Sequence, residues 1–161
     1  MRRDVQPTDI LQSILATLRA ALALNENTCF LATDDLAPAR IPASSVFVTV
    51  TPSAGEFIVQ EQTPGNVGER WGFRVRVFLR LARDRLGRDD VRLLDPQDGM
   101  FAWKRKVLKA LCGQDFAAWN LRGTIAATSS TPLAWLRGER GDLEFASFAV
   151  DFAADFDWDL S

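Results

Sequence analysis

Between Phe148 and Asp159 the residues Phe148, Val150, Phe152, Phe156 and Trp158 take even positions, and Asp151, Asp155, Asp157 and Asp159 take odd ones. Successive side chains of an extended strand point to opposite faces, so this stretch can bury one aromatic face only as a long strand with carboxylates on its other face. A chain that ends this way must build a sheet around it.

A second stretch answers it. Phe73, Val75, Val77, Leu79 and Leu81 fall on one face, with Arg74, Arg76, Phe78 and Arg80 on the other. A sheet that sets this strand beside the last would match arginines to carboxylates across the pair. Surface pairs of this kind add little stability, and their use is to fix strand order or subunit register.

Helical spacing marks two further elements. Ile10, Leu11, Ile14, Leu15, Leu18 and Leu22 make one apolar face running to about Leu24, with Thr8 as the expected N-cap and Asp9 in the first turn. Met100, Trp103, Val107, Leu108 and Leu111 make another, with Asp98 as the expected cap, Lys104, Arg105, Lys106 and Lys109 outward, and Gly113 as the stop. Cys29 to Leu31 is a possible short strand. Val46–Val50 and Glu56–Gln62 flank Thr51-Pro52-Ser53-Ala54-Gly55 and read as an antiparallel hairpin, followed by a loop from Thr63 to Gly68. The stretch from Arg83 to Asp98 reads as charged loop with a possible short element at Val91–Leu94, and Arg137–Asp142 as a turn. Phe116–Arg122, Thr124–Ser130 and Thr131–Leu136 fit either strand or core cover.

These elements predict an α/β (α+β) fold: one domain over residues 1–161, with a mixed or antiparallel sheet packed against two main helices. The sequence has no His and no Tyr, which removes imidazole bases, Ser-His pairs and His metal ligands from one chain's chemistry. Phosphate-binding glycine loops and a nucleophile elbow are also missing. Carboxylates two apart on a strand lie roughly 6.5–7 Å from one another, a poor spacing for chelating a single ion. No catalytic residue, metal or cofactor is expected. The two cysteines, Cys29 and Cys112, have neither metal-ligand spacing nor disulfide-scaffold density, so a reduced intracellular protein is the expectation. The N-terminus lacks the continuous apolar run of a signal peptide or membrane span.

Charge is unevenly spread. Nineteen Lys and Arg oppose 21 Asp and Glu overall, yet residues 70–109 hold 12 basic against 5 acidic side chains, and residues 142–161 hold six acidic and no basic ones. Complementary patches on neighbouring copies explain this segregation, as does a surface polarity with no specific partner. A nucleic-acid groove is disfavoured because no aromatic stacking stripe accompanies the arginines.

In the order of its elements, and in the segments Ile10–Leu24, Phe73–Leu81 and Phe145–Trp158, the chain resembles the tail terminator and tail-completion (neck) proteins of long-tailed bacteriophages. The resemblance implies a hexameric ring that caps the tail tube, stops addition of tail tube protein and presents the surface to which the head connector binds. It implies residence in the virion's tail or neck, with host cytoplasm as the place of assembly and no membrane partner. Arg74, Arg76 and Arg80 would form the subunit interface. Asp151, Asp155 and Asp157 would face a neighbour or the central channel, through which DNA passes without specific binding. Reversing Arg74 and Arg76 to Glu is then expected to disrupt the ring and spare the fold. The alternatives are a head-completion or neck adaptor, and a small accessory protein-binding domain that forms no ring.

Overall fold

The computed structural model describes residues 7–34, 36–81, 94–114, 121–137 and 143–160. In chain order these form α1 (Pro7–Leu22), β1 (Cys29–Leu31), β2 (Val46–Pro52), β3 (Glu56–Thr63), β4 (Asn66–Arg80), α2 (Met100–Leu111), β5 (Leu121–Ser130), β6 (Ala134–Arg137) and β7 (Leu143–Asp159). They make a single domain in which a mixed seven-stranded sheet packs against two α-helices. The expected elements at Val91–Leu94 and Phe116–Arg122, and the turn at Arg137–Asp142, lie wholly or largely outside the described residues.

The two alternating stretches are the middle of the sheet. β4 and β7 run antiparallel with every residue of β4 paired, from Asn66 opposite Asp159 to Arg80 opposite Phe145. Each then carries two shorter strands along its outer edge: β2 and β3 follow one another along β4, and β5 and β6 along β7. β1 completes one edge, parallel to β2.

This arrangement corrects the expected hairpin. β2 and β3 do not pair with each other; Pro52 stands opposite Phe73 and Glu56 opposite Arg70, so the Ser53–Gly55 stretch carries the chain onward along the same edge. The hairpin is β3–β4, closed by Pro64-Gly65 between the paired residues Thr63 and Asn66. The segment expected as a loop from Thr63 to Gly68 is that tight turn followed by strand. Pro at the first central position and Gly at the second are a turn signal in their own right.

One face of the sheet carries the main core. Ile10, Ile14, Leu18 and Leu22 of α1 and Trp103, Val107 and Leu111 of α2 pack with Phe73, Val75, Val77, Phe148, Val150, Phe152 and Phe156. Both alternating strands therefore bury the faces their patterns dictate. The opposite face is not the solvated surface that its charges suggest, because Phe47, Phe78 and Phe145 form a second buried cluster there, with Phe30, Ile41 and Leu136 against it. Phe47 stacks on Phe78 at 4.3 Å between ring centroids and meets Phe145 edge-on at 5.1 Å.

Helix ends differ from expectation in three details. α1 begins at Pro7, which places Thr8 inside the first turn instead of at the cap. It ends with Ala23 at φ 54° and a Leu24 N–H to Arg19 carbonyl bond of 3.0 Å, a Schellman closure built on a non-glycine residue. At α2 the N-cap is Gly99 and not Asp98; the Asp98 amide instead donates to the Asp95 carboxylate at 2.9 Å. Gly113 does stop α2, at φ 76°, and its N–H reaches the Ile125 carbonyl of β5 at 3.0 Å.

Candidate functional site

The arginines singled out from the sequence lie on the face of β4 away from the helices, Arg74 and Arg76 within the strand and Arg80 at its last residue, and each is engaged within its own chain. Arg74 stands opposite Asp151 in the β4–β7 register. Its Nε donates to Asp151 Oδ1 at 2.7 Å and its Nη2 to Oδ2 at 3.1 Å, and Ser129 Oγ donates to Oδ2 at 2.7 Å. The hydrogen bonds from Arg74, aided by Ser129 and the nearby charge of Arg76, hold the Asp151 carboxyl below the usual carboxylate range against the opposing effect of burial.

Arg76 is only 2% exposed, and its Nη1 donates to Ser147 Oγ at 3.1 Å. Arg80 donates from Nε to the Ser44 carbonyl at 3.2 Å, with its guanidinium over the Phe145 ring at 4.6 Å. Reversal of Arg76 to Glu would bury a carboxylate beside Asp151, so the expectation that the fold survives this change is corrected.

The acidic residues divide in the same way. Asp155 is opposite Arg70 and accepts from its Nε at 3.0 Å. Asp157 stands half-buried opposite Gly68. The charge match read from the sequence therefore exists, as Arg74 with Asp151 and Arg70 with Asp155, inside one chain.

What the sequence reading passed over is the end of the sheet. From Trp71 to Leu79 every residue of β4 but Arg74 is buried, and beyond Trp71 the β3–β4 hairpin and the last residues of β7 continue as an arm, joined at its root by the start of β5, where Leu121 stands opposite Phe156 and Arg122 opposite Asp155. The arm is braced: Trp158 Nε1 donates to Glu69 Oε2 at 2.7 Å, Trp158 meets Phe156 edge-on at 5.2 Å, and the Leu160 N–H bonds the Gly65 carbonyl at 3.0 Å. Its outer strand β3 is mostly exposed, with Phe57 56% and Val59 73% accessible. The available signal was Phe57-Ile58-Val59, an apolar run set between Glu56 and Gln60-Glu61-Gln62 without the alternation of a half-buried strand.

No family model matches the chain, and no curated protein matches it in sequence. Among the described residues no group of three or more His, Cys, Asp or Glu could hold a metal ion, and no helix is long and apolar enough to cross a membrane.

Proposed function

We propose that the protein is an assembly subunit whose copies close into a ring, six-membered by the resemblance drawn above, that caps a phage tail tube and offers the head connector its docking surface. The observation that carries this reading is the arm. A lone folded chain rarely leaves a strand with Phe57 and Val59 exposed at a sheet edge, because such an edge invites pairing with other chains. A subunit that must meet its neighbour and a tube end has a use for that surface.

Internal pairing of Arg74 and Arg76 shifts the proposed subunit contact away from the centre of the sheet and onto the arm. The central arginines then act by fixing the register of β4 on β7, which sets where the arm points. In this reading the ring surrounds a channel that DNA crosses without specific binding, and the net charge of −2 favours release over retention. The partners are further copies of the chain, the tail tube protein and the head connector, and the particle is where the protein resides. The work is mechanical and assigns no catalytic step.

Light scattering across a concentration series, with electron microscopy of any oligomer, tests the proposal, followed by addition of the protein to growing tail tubes. Six-fold rings and arrested tube length are the expected results. Rings that bind a connector but leave tube growth unaffected would identify a neck adaptor instead. A monomer that neither closes on tube ends nor arrests them would overturn the reading in favour of an accessory protein-binding domain.

A further inference from the structure

The outer face of α2 is the charge opposite of the arm. The helix carries Lys104, Arg105, Lys106 and Lys109 and no acidic residue. Its buried side, Trp103, Val107, Ala110 and Leu111, faces the core. Lys104 lies over the Phe148 ring at 5.5 Å, and Lys106 lies over Trp103 at 4.5 Å and beside Asp98 at 3.6 Å. Phe101, Arg105, Lys109 and Cys112 follow at intervals of four, four and three residues, which places them on one outward stripe. Phe101 is 62% exposed. Beside the stripe, Pro96, Gln97 and Ala102 help line a shallow open depression.

The arm has the reverse character. Glu56 to Arg70 together with Asp155 to Asp159 contain six acidic residues and one basic residue, and Arg122 of β5, opposite Asp155, adds a second basic one. On β3 itself the exposed apolar residues Phe57 and Val59 lie between Glu56 and Glu61. The two surfaces match in opposite charge and in each having an apolar part. Within one chain both are exposed, so neither covers the other.

We propose that β3 of one copy docks on the outer stripe of α2 of the next copy, running in the same direction, with Phe57 against Phe101 and with Val59 and Glu61 following along the stripe beside Arg105 and Lys109. The contact joins two different surfaces, so every copy offers one of each, and repetition yields a ring if the rotation closes and an open chain if it does not. This inference rests on the ring reading for its purpose, although not for its geometry. Its strength falls with salt, because the charged flanks remain near water.

Cys112 supplies the test. It is exposed at the end of the stripe, whereas Cys29 is buried. A V59C variant of the full chain, treated at low salt with a bis-maleimide that spans about 10 Å, the helix rise from Arg105 to Cys112, is expected to give a covalent ladder of dimer, trimer and higher species. The unaltered chain and V59C combined with C112S each have one accessible thiol and stop at dimer. Adding K109E to V59C is expected to reduce the ladder at least tenfold, and E61K on top of it to restore it. Absence of the ladder, or a ladder indifferent to these charges, overturns the contact. If the stripe instead retains duplex DNA in a manner lost with R105E and K109E, and no ladder forms, the stripe is a nucleic-acid surface and the contact is likewise overturned. Rings seen for the unaltered chain without a ladder leave the ring reading standing and remove this contact. A charge-dependent ladder of open chains, with no ring, does the opposite.

Discussion

Arg74 and Asp151 face one another across the two central strands, joined by two hydrogen bonds of 2.7 and 3.1 Å at a register that runs unbroken along β4. A one-residue slip would put Arg74 opposite Val150 or Phe152 and turn every aromatic side chain of β7 to the wrong face. The pair is thus a register mark as well as a bond. It lies on the face away from the helices, next to the buried Arg76 and Ser147.

The stability contributed by this pair depends on pH in a defined direction. Asp151 has a folded pKa below its unfolded value of about 3.9, so its contribution is full above that value and disappears as pH falls through the folded pKa. D151N is expected to lose about 1–2 kcal/mol at pH 7, within the range for hydrogen bonds to charged groups at a partly exposed site. Urea unfolding of both proteins checks it: the gap between them should be constant from pH 7 to about 5 and narrow below about 4. A gap that persists undiminished at pH 2.5 would show that the ionised carboxylate is not its source.

Arg76 is a different kind of residue although it is two positions away. Its burial and its bond to Ser147 make it part of the core of the second face. R76A is expected to cost about 2–4 kcal/mol, by leaving a cavity and removing the donor to Ser147, whose hydroxyl keeps its 3.4 Å bond to the Ala134 carbonyl. R76K keeps the charge but loses the planar fork, and should fall between R76A and the unaltered chain. The urea midpoints rank the three. An R76A protein as stable as the parent would mean that the site collapses without loss.

The central pair was legible because alternation has no second interpretation: a stretch such as Phe73–Leu81 cannot be amphipathic in any helix, and its face assignment follows residue by residue. The apolar faces of α1 and α2 were legible for the same reason at the helical period. Which strand lies beside which was not. The β2–β3 hairpin looked plausible because turn residues stood between two β-rich runs, yet Ser53–Gly55 only redirects the chain along β4, and the stronger turn at Pro64-Gly65 makes the hairpin. Phe78 and Phe145 occupy the face that Arg74 and Asp151 mark as polar, so their cluster with Phe47 becomes visible only when three strands are set side by side. Exposure at Phe57 and Val59 was hidden too, since an apolar run carries no mark of whether anything covers it.

Ala23 closes α1 at φ 54°, in the left-handed region where a Cβ is costly. Glycine removes that cost, while adding freedom to the unfolded chain offsets part of the gain. A23G is therefore expected to stabilise the protein by about 0.5–1 kcal/mol, read as a rise of a few degrees in Tm by calorimetry. A fall in Tm would mean that the Schellman closure depends on contacts of the alanine methyl.

Gly55 joins β2 to β3 at the root of the arm, where a Cβ would run into the carboxyl end of Glu69. That carboxylate is the acceptor for Trp158 Nε1. G55A is expected to push Glu69 aside and release the indole, with a loss of about 1 kcal/mol or less because a flexible side chain gives way. The proton resonance of the Trp158 indole, assigned by comparison with W158F, should move and exchange faster with water while the other indole signals hold their positions. An unmoved resonance would show that Glu69 has room to yield without leaving Trp158.

The two thiols should behave as opposites. Burial pushes the Cys29 thiol up to about 11, partly opposed by the charge of Arg19, whose guanidinium donates to the Cys29 carbonyl at 3.0 and 2.8 Å. The folded protein therefore keeps Cys29 protonated and closed to reagents at pH 8, whereas Cys112 is exposed. A chromogenic disulfide reagent at pH 8 is expected to titrate one thiol promptly in the native protein and two after unfolding in guanidinium. The second should react under native conditions only at the rate at which α1 and β1 part, so R19A, which unties them, should speed it several-fold without altering the first. Equal native rates for both thiols would place Cys29 within reach of solvent and remove the link between α1 and β1 as the barrier.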